Sequence, residues 1–118
     1  EAPPVMRRLA RIGDGWMPRT RIFGGWDPAE KRDFDTAEII DRMHRIAEEE
    51  GRDPATIGIE QMARLNITDD PDEWVKHGRL LKSCGGTHFS IHTLDTGLET
   101  IDQHLAVMRR FKEAVTGL

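Results

Sequence analysis

Tyrosine is absent from the sequence, cysteine occurs once, at Cys84, and aromatic residues make up only 6% of the chain. A single cysteine excludes an internal disulfide framework and a zinc site that depends on several cysteines. Long apolar runs are also absent, because none approaches the ~20 residues that a membrane-spanning helix needs. These absences argue against a disulfide-stapled protein and against an integral membrane protein.

An excess of positive charge is likewise missing, since 17 lysine and arginine residues stand against 21 aspartate and glutamate residues, for a net charge of -4. The two signs are interspersed, without the like-charged blocks that mark interaction tails. Nucleic-acid binding therefore has no electrostatic basis. The first residues do not resemble a signal peptide, so we expect a cytoplasmic protein that binds a small-molecule substrate and neither nucleic acid nor membrane.

The 118 residues are enough for one domain, 1–118, and show no sign of a second. Prolines at positions 3 and 4 favour a helix start, and helical spacing continues to Ile12, with Gly13 as the stop. Residues 14–18 are predicted to be a short extended piece and 19–34 a long loop. The next helix is predicted to begin at Asp35 or Thr36 and to end at Gly51. Its apolar stripe consists of Ile39, Ile40, Met43, Ile46 and Ala47.

The C-terminal half contains two segments, 57–65 and 87–93, whose apolar and polar residues alternate with the period of a strand. A helix is predicted between them, from Asp70 to a stop at Cys84, and another from about Leu98 to Val115. The residues predicted to face the core are Trp74, Val75, Leu80 and Leu81 in the first helix, and Ile101, Leu105, Met108, Phe111 and Val115 in the second. In the first strand, Ile57 and Ile59 lie on one face, and Glu60, Met62 and Arg64 lie on the other. In the second strand, His88, Ser90 and His92 share one face.

Helices and strands thus alternate along the chain, with crossovers of a dozen or more residues, and this order demands parallel strands. The predicted class is α/β. Three strands are few, since a closed (β/α)8 barrel needs eight strand-helix units and about 250 residues. The chain is therefore either about three-eighths of a barrel, a sheet completed by self-association, or a small α/β domain that stands alone.

Three segments resemble the luciferase-like monooxygenase family. They are 8–18 (RLARIGDGWMP), 49–60 (EEGRDPATIGIE) and 85–94 (GGTHFSIHTL), followed by matches at 102–105 (DQHL) and 110–111 (RF). Members of that family are (β/α)8-barrel oxidoreductases that use reduced FMN or the deazaflavin F420. The resemblance implies that this chain corresponds to the C-terminal third of such a barrel, with about three strand-helix units.

Barrel enzymes place their chemistry at the carboxyl ends of the strands and in the loops that follow. The residues at those positions are Trp16, Met17, Pro18, Arg19, Arg64, Asn66, Thr68, His92, Thr93 and Asp95. Trp16 is a candidate contact for the face of a flavin ring, although a core tryptophan that fills the space between strand and helix is the simpler interpretation. Arg19 is a candidate donor to a cofactor phosphate, and the backbone of Gly24-Gly25 can approach one. The candidate acid-base or substrate contact is His92.

His88 and His92 are four residues apart, which on a strand is about 13 Å, too far for two ligands of one metal ion. No metal site is predicted. If the polar strand faces point into a barrel, Glu60, Arg64 and the two histidines share its interior, and we expect them to form a polar network because buried charges must be paired.

The leading functional hypothesis is a portion of a flavin- or F420-dependent oxidoreductase or monooxygenase that acts on a small organic substrate. Hydride transfer or oxygen activation would be the cofactor's chemistry, with the protein orienting and shielding it. The alternative is a catalytically inactive α/β module that self-associates through its open sheet. Under either hypothesis we expect a homo-oligomer, since a bare sheet edge is prone to pair with another chain.

Overall fold

A computed structural model describes residues 3–18 and 36–118 of the chain. The elements follow the order α1 (Pro3–Ile12), β1 (Gly15–Trp16), α2 (Thr36–Glu49), a 3-10 turn (Pro54–Thr56), β2 (Gly58–Arg64), α3 (Pro71–Ser83), β3 (His88–His92) and α4 (Ile101–Val115). The predicted alternation of helices and strands is confirmed. The predicted loop 19–34 and the Asp35 cap lie outside the described residues.

The three strands form one sheet in the order β1-β2-β3, and both pairings are parallel. The register places Trp16 opposite Ile59 and Arg64 opposite His92. The protein is therefore of the α/β type, as predicted. β1 is shorter than the predicted extended piece, because only Gly15 and Trp16 pair with the middle strand.

Two apolar clusters hold the helices against one face of the sheet. The first joins α1, β1, α2 and the start of β2, and its buried members are Met6, Ala10, Trp16, Ile40, Met43, Ile46, Ala47, Ile57 and Ile59. The second joins β2, α3 and α4 through buried Ala63, Trp74, Val107 and Phe111, with Phe89 and Ile91 of β3 packed against it. The predicted α2 stripe is confirmed, with Ile39 at its margin.

Arg52 fastens the end of α1 to the end of α2. Its guanidinium donates to the carbonyl oxygens of Gly13 at 2.6 Å and Ala10 at 3.4 Å. These are carbonyls of the last turn of α1 and of the residue that follows it, which the helix itself leaves without partners. A cation at this end also complements the helix dipole.

The predicted core face of α3 is wrong in part. Trp74 and Leu81 are buried, but Leu80 is 47% exposed and the third buried residue is Gly78. A Cβ atom at position 78 would lie 3.2 Å from Cδ1 of Phe89. The missing side chain at Gly78 therefore lets the Phe89 ring pack closely against the helix.

The predicted core face of α4 is also wrong in part. Phe111 is buried, as expected, but Ile101, Leu105 and Met108 are 78%, 38% and 44% exposed. The helix instead buries Val107, and Val115 is partly buried. Helix α4 begins at Ile101, and Leu98, which precedes its first turn, packs partly against the second cluster.

In the described ranges 3–18 and 36–118, the helices are too short and too polar for any of them to cross a membrane.

Candidate functional site

One face of the sheet is packed by helices, and the other carries a group of mostly polar side chains that we call the open face. Its members alternate with the buried residues of β2 and β3 and are Glu60, Met62, Arg64, His88, Ser90 and His92. Buried Ile59, Gln61 and Ala63 point the opposite way, toward the helices. The predicted separation of apolar and polar strand faces is confirmed.

Glu60 and Ser90 form the shortest cross-strand contact of the open face. The Ser90 hydroxyl donates to Oε1 of Glu60 at 2.6 Å, and both side chains are partly buried. A hydrogen bond to a carboxylate is stronger than one between neutral groups, so it fixes the position of the Glu60 side chain. The expected network of Glu60, Arg64, His88 and His92 is not formed among the described residues, where Glu60 pairs with Ser90 instead.

His88 lies at the amino end of β3, where Thr87 and Gly58 define its position. The Thr87 hydroxyl is 2.8 Å from Nδ1 of His88 and accepts from the backbone N–H of Ile59 at 2.7 Å. The ring crosses above Gly58, since a Cβ atom there would lie 3.2 Å from Cε1 of His88. Glycine at position 58 therefore makes room for the imidazole, which borders a cleft of about 470 Å³ together with Glu60 and Trp16.

His92 ends β3 directly opposite Arg64, at the carboxyl edge of the sheet. Its Nδ1 atom is buried and has no hydrogen-bond partner among the described residues. A buried ring nitrogen without a partner carries a free-energy penalty that a suitably placed ligand group would relieve. Arg64 is exposed and forms no ion pair with any residue in the described ranges. Among the described residues, an imidazole whose Nδ1 lacks a partner and a guanidinium without an ion pair are thus neighbours at this edge.

Trp16 lies on the other side of the sheet from His92. It pairs in register with Ile59, is 7% exposed, and packs in the first apolar cluster. Its indole Nε1 has no hydrogen-bond partner within the described part of the chain. The structure therefore places Trp16 and His92 on opposite faces, and a contact between Trp16 and a flavin ring stays a prediction.

Three further predicted cofactor contacts, Arg19, Gly24 and Gly25, lie outside the described residues. The chain reaches that segment from Pro18, whose carbonyl oxygen accepts a hydrogen bond from the buried amide of Gln61 at 3.0 Å. The predicted phosphate contacts of Arg19 and of the glycine pair stay predictions.

A second concave surface lies at the carboxyl ends of β2 and β3, beside α4. This groove measures about 580 Å³, and its polar lining includes Asn66, Asp69, Asp95, Thr96 and Arg110. Asp95 adopts the left-handed conformation, with φ of 57°, in the turn after β3. Aspartate tolerates that conformation better than most residues, because its short side chain bonds to the local backbone.

Arg110 closes one side of the groove. Its guanidinium pairs with the Asp69 carboxylate and lies 5.3 Å above the centre of the Trp74 ring. The indole of Trp74 in turn donates to the carbonyl oxygen of Thr68 at 3.1 Å. These contacts fix the β2–α3 loop to α4. No sequence pattern indicated the Asp69–Arg110 pair, because its members are 41 residues apart.

Thr93 and His104 connect the end of β3 to the first turn of α4. Thr93 is buried, and its hydroxyl lies 2.8 Å from Nδ1 of His104. The Thr96 hydroxyl donates a hydrogen bond to the backbone carbonyl oxygen of Thr93 at 2.7 Å. His104 is thus tied into the loop after β3.

No three histidine, cysteine, aspartate or glutamate side chains in the described ranges come together in a way that could hold a metal ion. The polar groups available at the sheet are one hydrogen-bonded carboxylate, two imidazoles and one guanidinium. Such a set can bind an anion or a polar ring and can move a proton at an imidazole.

Comparisons of the chain with models of protein families, with curated proteins and with solved structures found no match. Function must therefore be inferred from the geometry of the sheet and its side chains.

Proposed function

We propose that the chain is part of a (β/α)8-barrel oxidoreductase of the luciferase-like type. In this proposal the protein uses FMN or F420 to oxidise, reduce or oxygenate a small organic substrate. The observation that carries the proposal is a parallel sheet with helices along one face and a polar, histidine-bearing face on the other. The resemblance of 8–18, 49–60 and 85–94 to that family points in the same direction.

A parallel sheet usually has both of its faces covered, and its strands are then apolar throughout. In this chain β2 and β3 alternate, and the face away from the helices presents Glu60, Arg64, His88 and His92. Strands in the wall of a (β/α)8 barrel divide their side chains in the same way, since the outer ones pack on the surrounding helices and the inner ones face the interior. That interior is mostly apolar, and its polar residues belong to the active site at the carboxyl ends. The arrangement supports a barrel wall better than an isolated three-layer sandwich.

The proposed roles follow from the position of each side chain relative to the carboxyl edge. His92 is the candidate acid-base or substrate contact, since its buried Nδ1 fits a hydrogen-bonding group of a ligand. Arg64, opposite His92 and without an ion pair among the described residues, is suited to an anionic group. Trp16, Arg19, Gly24 and Gly25 remain the proposed cofactor contacts. When bound, FMN or F420 supplies hydride transfer or oxygen activation.

The test is a titration of the 118-residue chain with FMN and, separately, with F420, followed by cofactor fluorescence. We expect saturable binding of one of the two. Arg64→Ala and His92→Ala are expected to weaken that binding by about 10-fold or more, the range for losing a hydrogen bond to a charged group. Circular dichroism of both variants checks that the fold is retained.

The matched control is Arg79→Ala, which removes an exposed arginine from α3 and leaves the carboxyl edge unchanged. Its affinity for the cofactor is expected to equal that of the unchanged chain. Absence of saturable binding of both cofactors, or equal loss of affinity in all three variants, would contradict the proposal for this chain.

A second candidate is a catalytically inactive module that self-associates through its sheet. The observation that favours it is that β1 and β3 each have a neighbour on one side only within the described residues, and that the open face lacks a covering layer there. Unpaired strand edges are prone to add another chain. Light scattering over a range of concentrations tests it, since a monomer at every concentration would exclude self-association.

A further inference from the structure

Helix α4 carries an apolar row that is separate from its core-facing side. The row consists of Ile101, Leu105 and Met108, which are spaced by four and three residues and are 78%, 38% and 44% exposed. At about 100° per residue, the centre of this row lies roughly 100° around the helix from Val107 and Phe111. More than a third of each of these side chains is exposed. The helix therefore has a second apolar side, which the fold of the described residues does not use.

Two charged residues flank this row on one side. Asp102 and Arg109 are seven residues apart, about two helical turns, and so lie on the same flank. Neither forms a hydrogen bond or an ion pair through its side chain within the described part of the chain. By contrast, neighbouring Arg110 is already paired with Asp69. Among residues 3–18 and 36–118, the row thus has an unpaired negative charge near its amino end and an unpaired positive charge near its carboxyl end.

A spacing of four and three residues is the pattern of helices that pack against each other along a seam. In heptad terms Ile101 and Met108 occupy the d position, Leu105 the a position, and Asp102 and Arg109 the e position. In an antiparallel pair of such helices, e positions face e positions. A two-fold axis at Leu105 then places Asp102 beside Arg109 of the second copy, and Arg109 beside Asp102 of the second copy.

We propose that α4 is a self-association surface, where it packs antiparallel against α4 of a second copy of this chain. Leu105 of each copy lies at the axis, and Ile101 packs against Met108 of the second copy. The charges select this orientation, because a parallel pair would not bring Asp102 to Arg109. The contact is isologous, as in most dimers of identical chains. It involves α4 and neither the open face nor the strand edges.

The seam is short, since α4 has 15 residues and contributes three apolar side chains to it. Interfaces of this size are at the low end for specific association, so we expect a dissociation constant in roughly the micromolar range. Sedimentation equilibrium of the 118-residue chain over a concentration series measures it. A chain that stays monomeric throughout the series would overturn the proposal.

The first variant is Leu105→Glu, which brings two carboxylates together at the axis. It is expected to weaken the dimer by about 10-fold or more, because burying an uncompensated charge at an interface centre is costly. The matched control is Leu80→Glu, which introduces the same charge at a leucine of α3 that is exposed to a similar degree, 47%. Equal effects of the two substitutions would contradict the proposed surface.

A charge exchange tests the orientation. Asp102→Arg and Arg109→Asp each place like charges across the seam and are expected to weaken the dimer several-fold, as reversal of exposed ion pairs does. The double variant restores both pairs between copies, so its dissociation constant is expected to return toward that of the unchanged chain. Two helical turns separate the positions within one copy, so recovery cannot come from a bond inside it. The orientation would be overturned if the folded single variants dimerised as tightly as the unchanged chain. It would also be overturned if the folded double variant dimerised no more tightly than the single variants.

One more variant separates this surface from the sheet. Met62→Glu adds a charge to the open face and leaves α4 unchanged. The proposal requires the dimer to persist in this variant. Dissociation by Met62→Glu but not by Leu105→Glu would instead assign self-association to the sheet.

Discussion

His77 lies in the middle of α3, where most of its side chain is shielded from solvent and Nε2 is 3.7 Å from a carboxylate oxygen of Glu73. Burial lowers the pKa of His77 below 6.5, the attraction of Glu73 partly raises it again, and the nearby charge of Lys76 lowers it. The desolvation effect is the largest of the three. The folded chain therefore binds a proton at His77 less readily than the unfolded chain does.

Stability is consequently expected to depend on pH through His77. Below pH 6.5 the unfolded chain becomes protonated first, so the free energy of unfolding falls as the pH decreases toward the lowered pKa of the folded state. His77→Gln is expected to flatten this dependence, because it removes the titrating group. Urea denaturation followed by circular dichroism, repeated across that pH interval, measures the slope.

Substitutions at the two charged neighbours of His77 test the direction in which each charge shifts its pKa. Glu73→Gln removes the charge that raises the pKa of His77, so the loss of stability on acidification is expected to become steeper. Lys76→Gln removes a charge that lowers it, so the loss is expected to become shallower. The opposite order of the two variants would show that burial and these charges do not control the titration.

Single residues also show how far the candidate site could be predicted. Alternation along β2 and β3 was enough to assign Glu60, Arg64 and His92 to one face, because successive strand residues point to opposite sides. It could not show that Ser90 would be the partner of Glu60. That contact depends on the cross-strand register, which alternation within each strand does not determine.

At the level of elements, the order of helices and strands and their parallel pairing followed from the sequence, but the orientation of α4 did not. This helix has two apolar sides, one with Ile101, Leu105 and Met108 and one with Val107 and Phe111. Helical spacing alone joins members of both sides into one predicted face, Ile101, Leu105, Met108, Phe111 and Val115. Contacts between residues far apart in sequence determine which side faces the core. The main ones are those of the Phe111 ring, whose centroid lies 5.5 Å from that of Trp74 and 5.1 Å from that of Phe89.

The start of α4 depends on a reciprocal cap. The Thr100 hydroxyl accepts from the N–H of Gln103 at 3.3 Å, and the Gln103 side chain accepts from the N–H groups of Glu99 and Thr100 at 2.6 and 3.0 Å. Thr100→Ala is expected to lower the free energy of unfolding by about 1 kcal/mol, the usual loss for an N-cap. Chemical denaturation measures the difference.

Thr116→Ala provides a comparison at the opposite end of the same helix. Its hydroxyl donates to the carbonyl oxygen of Lys112 at 2.6 Å, in an exposed position where water can replace it. We expect a smaller loss than for Thr100→Ala. A larger loss at Thr116 would mean that the carboxyl end of α4, rather than the cap, controls its stability.

For the molecule as a whole, β2 is the central strand, since it pairs with β1 on one side and β3 on the other. Gly58 and Ile59 pair with β1 and residues 60–64 pair with β3, so β2 has a neighbouring strand along its whole length. Within the described residues, β1 and β3 each pair with β2 alone. Amide hydrogen exchange is expected to be slowest in β2 and faster in β1 and β3. NMR at low protein concentration measures these exchange rates in the monomer.

Raising the concentration adds a second comparison. If copies associate through α4, the exchange rates of β3 are expected to stay nearly constant while those of α4 decrease. Slower exchange in β3 without a change in α4 would indicate association through the strand edge, in agreement with the second candidate function.

The two apolar clusters share the middle strand, where Ile59 belongs to the first and Ala63 to the second. Between them lies Gln61, a buried amide that bonds to Pro18 instead of joining either cluster. A polar residue thus stands between the two clusters on this strand, while Cys84, at the end of α3, packs against the first cluster. The middle strand therefore contributes to both clusters, so a substitution that disrupts β2 is expected to destabilise both halves of the described chain together.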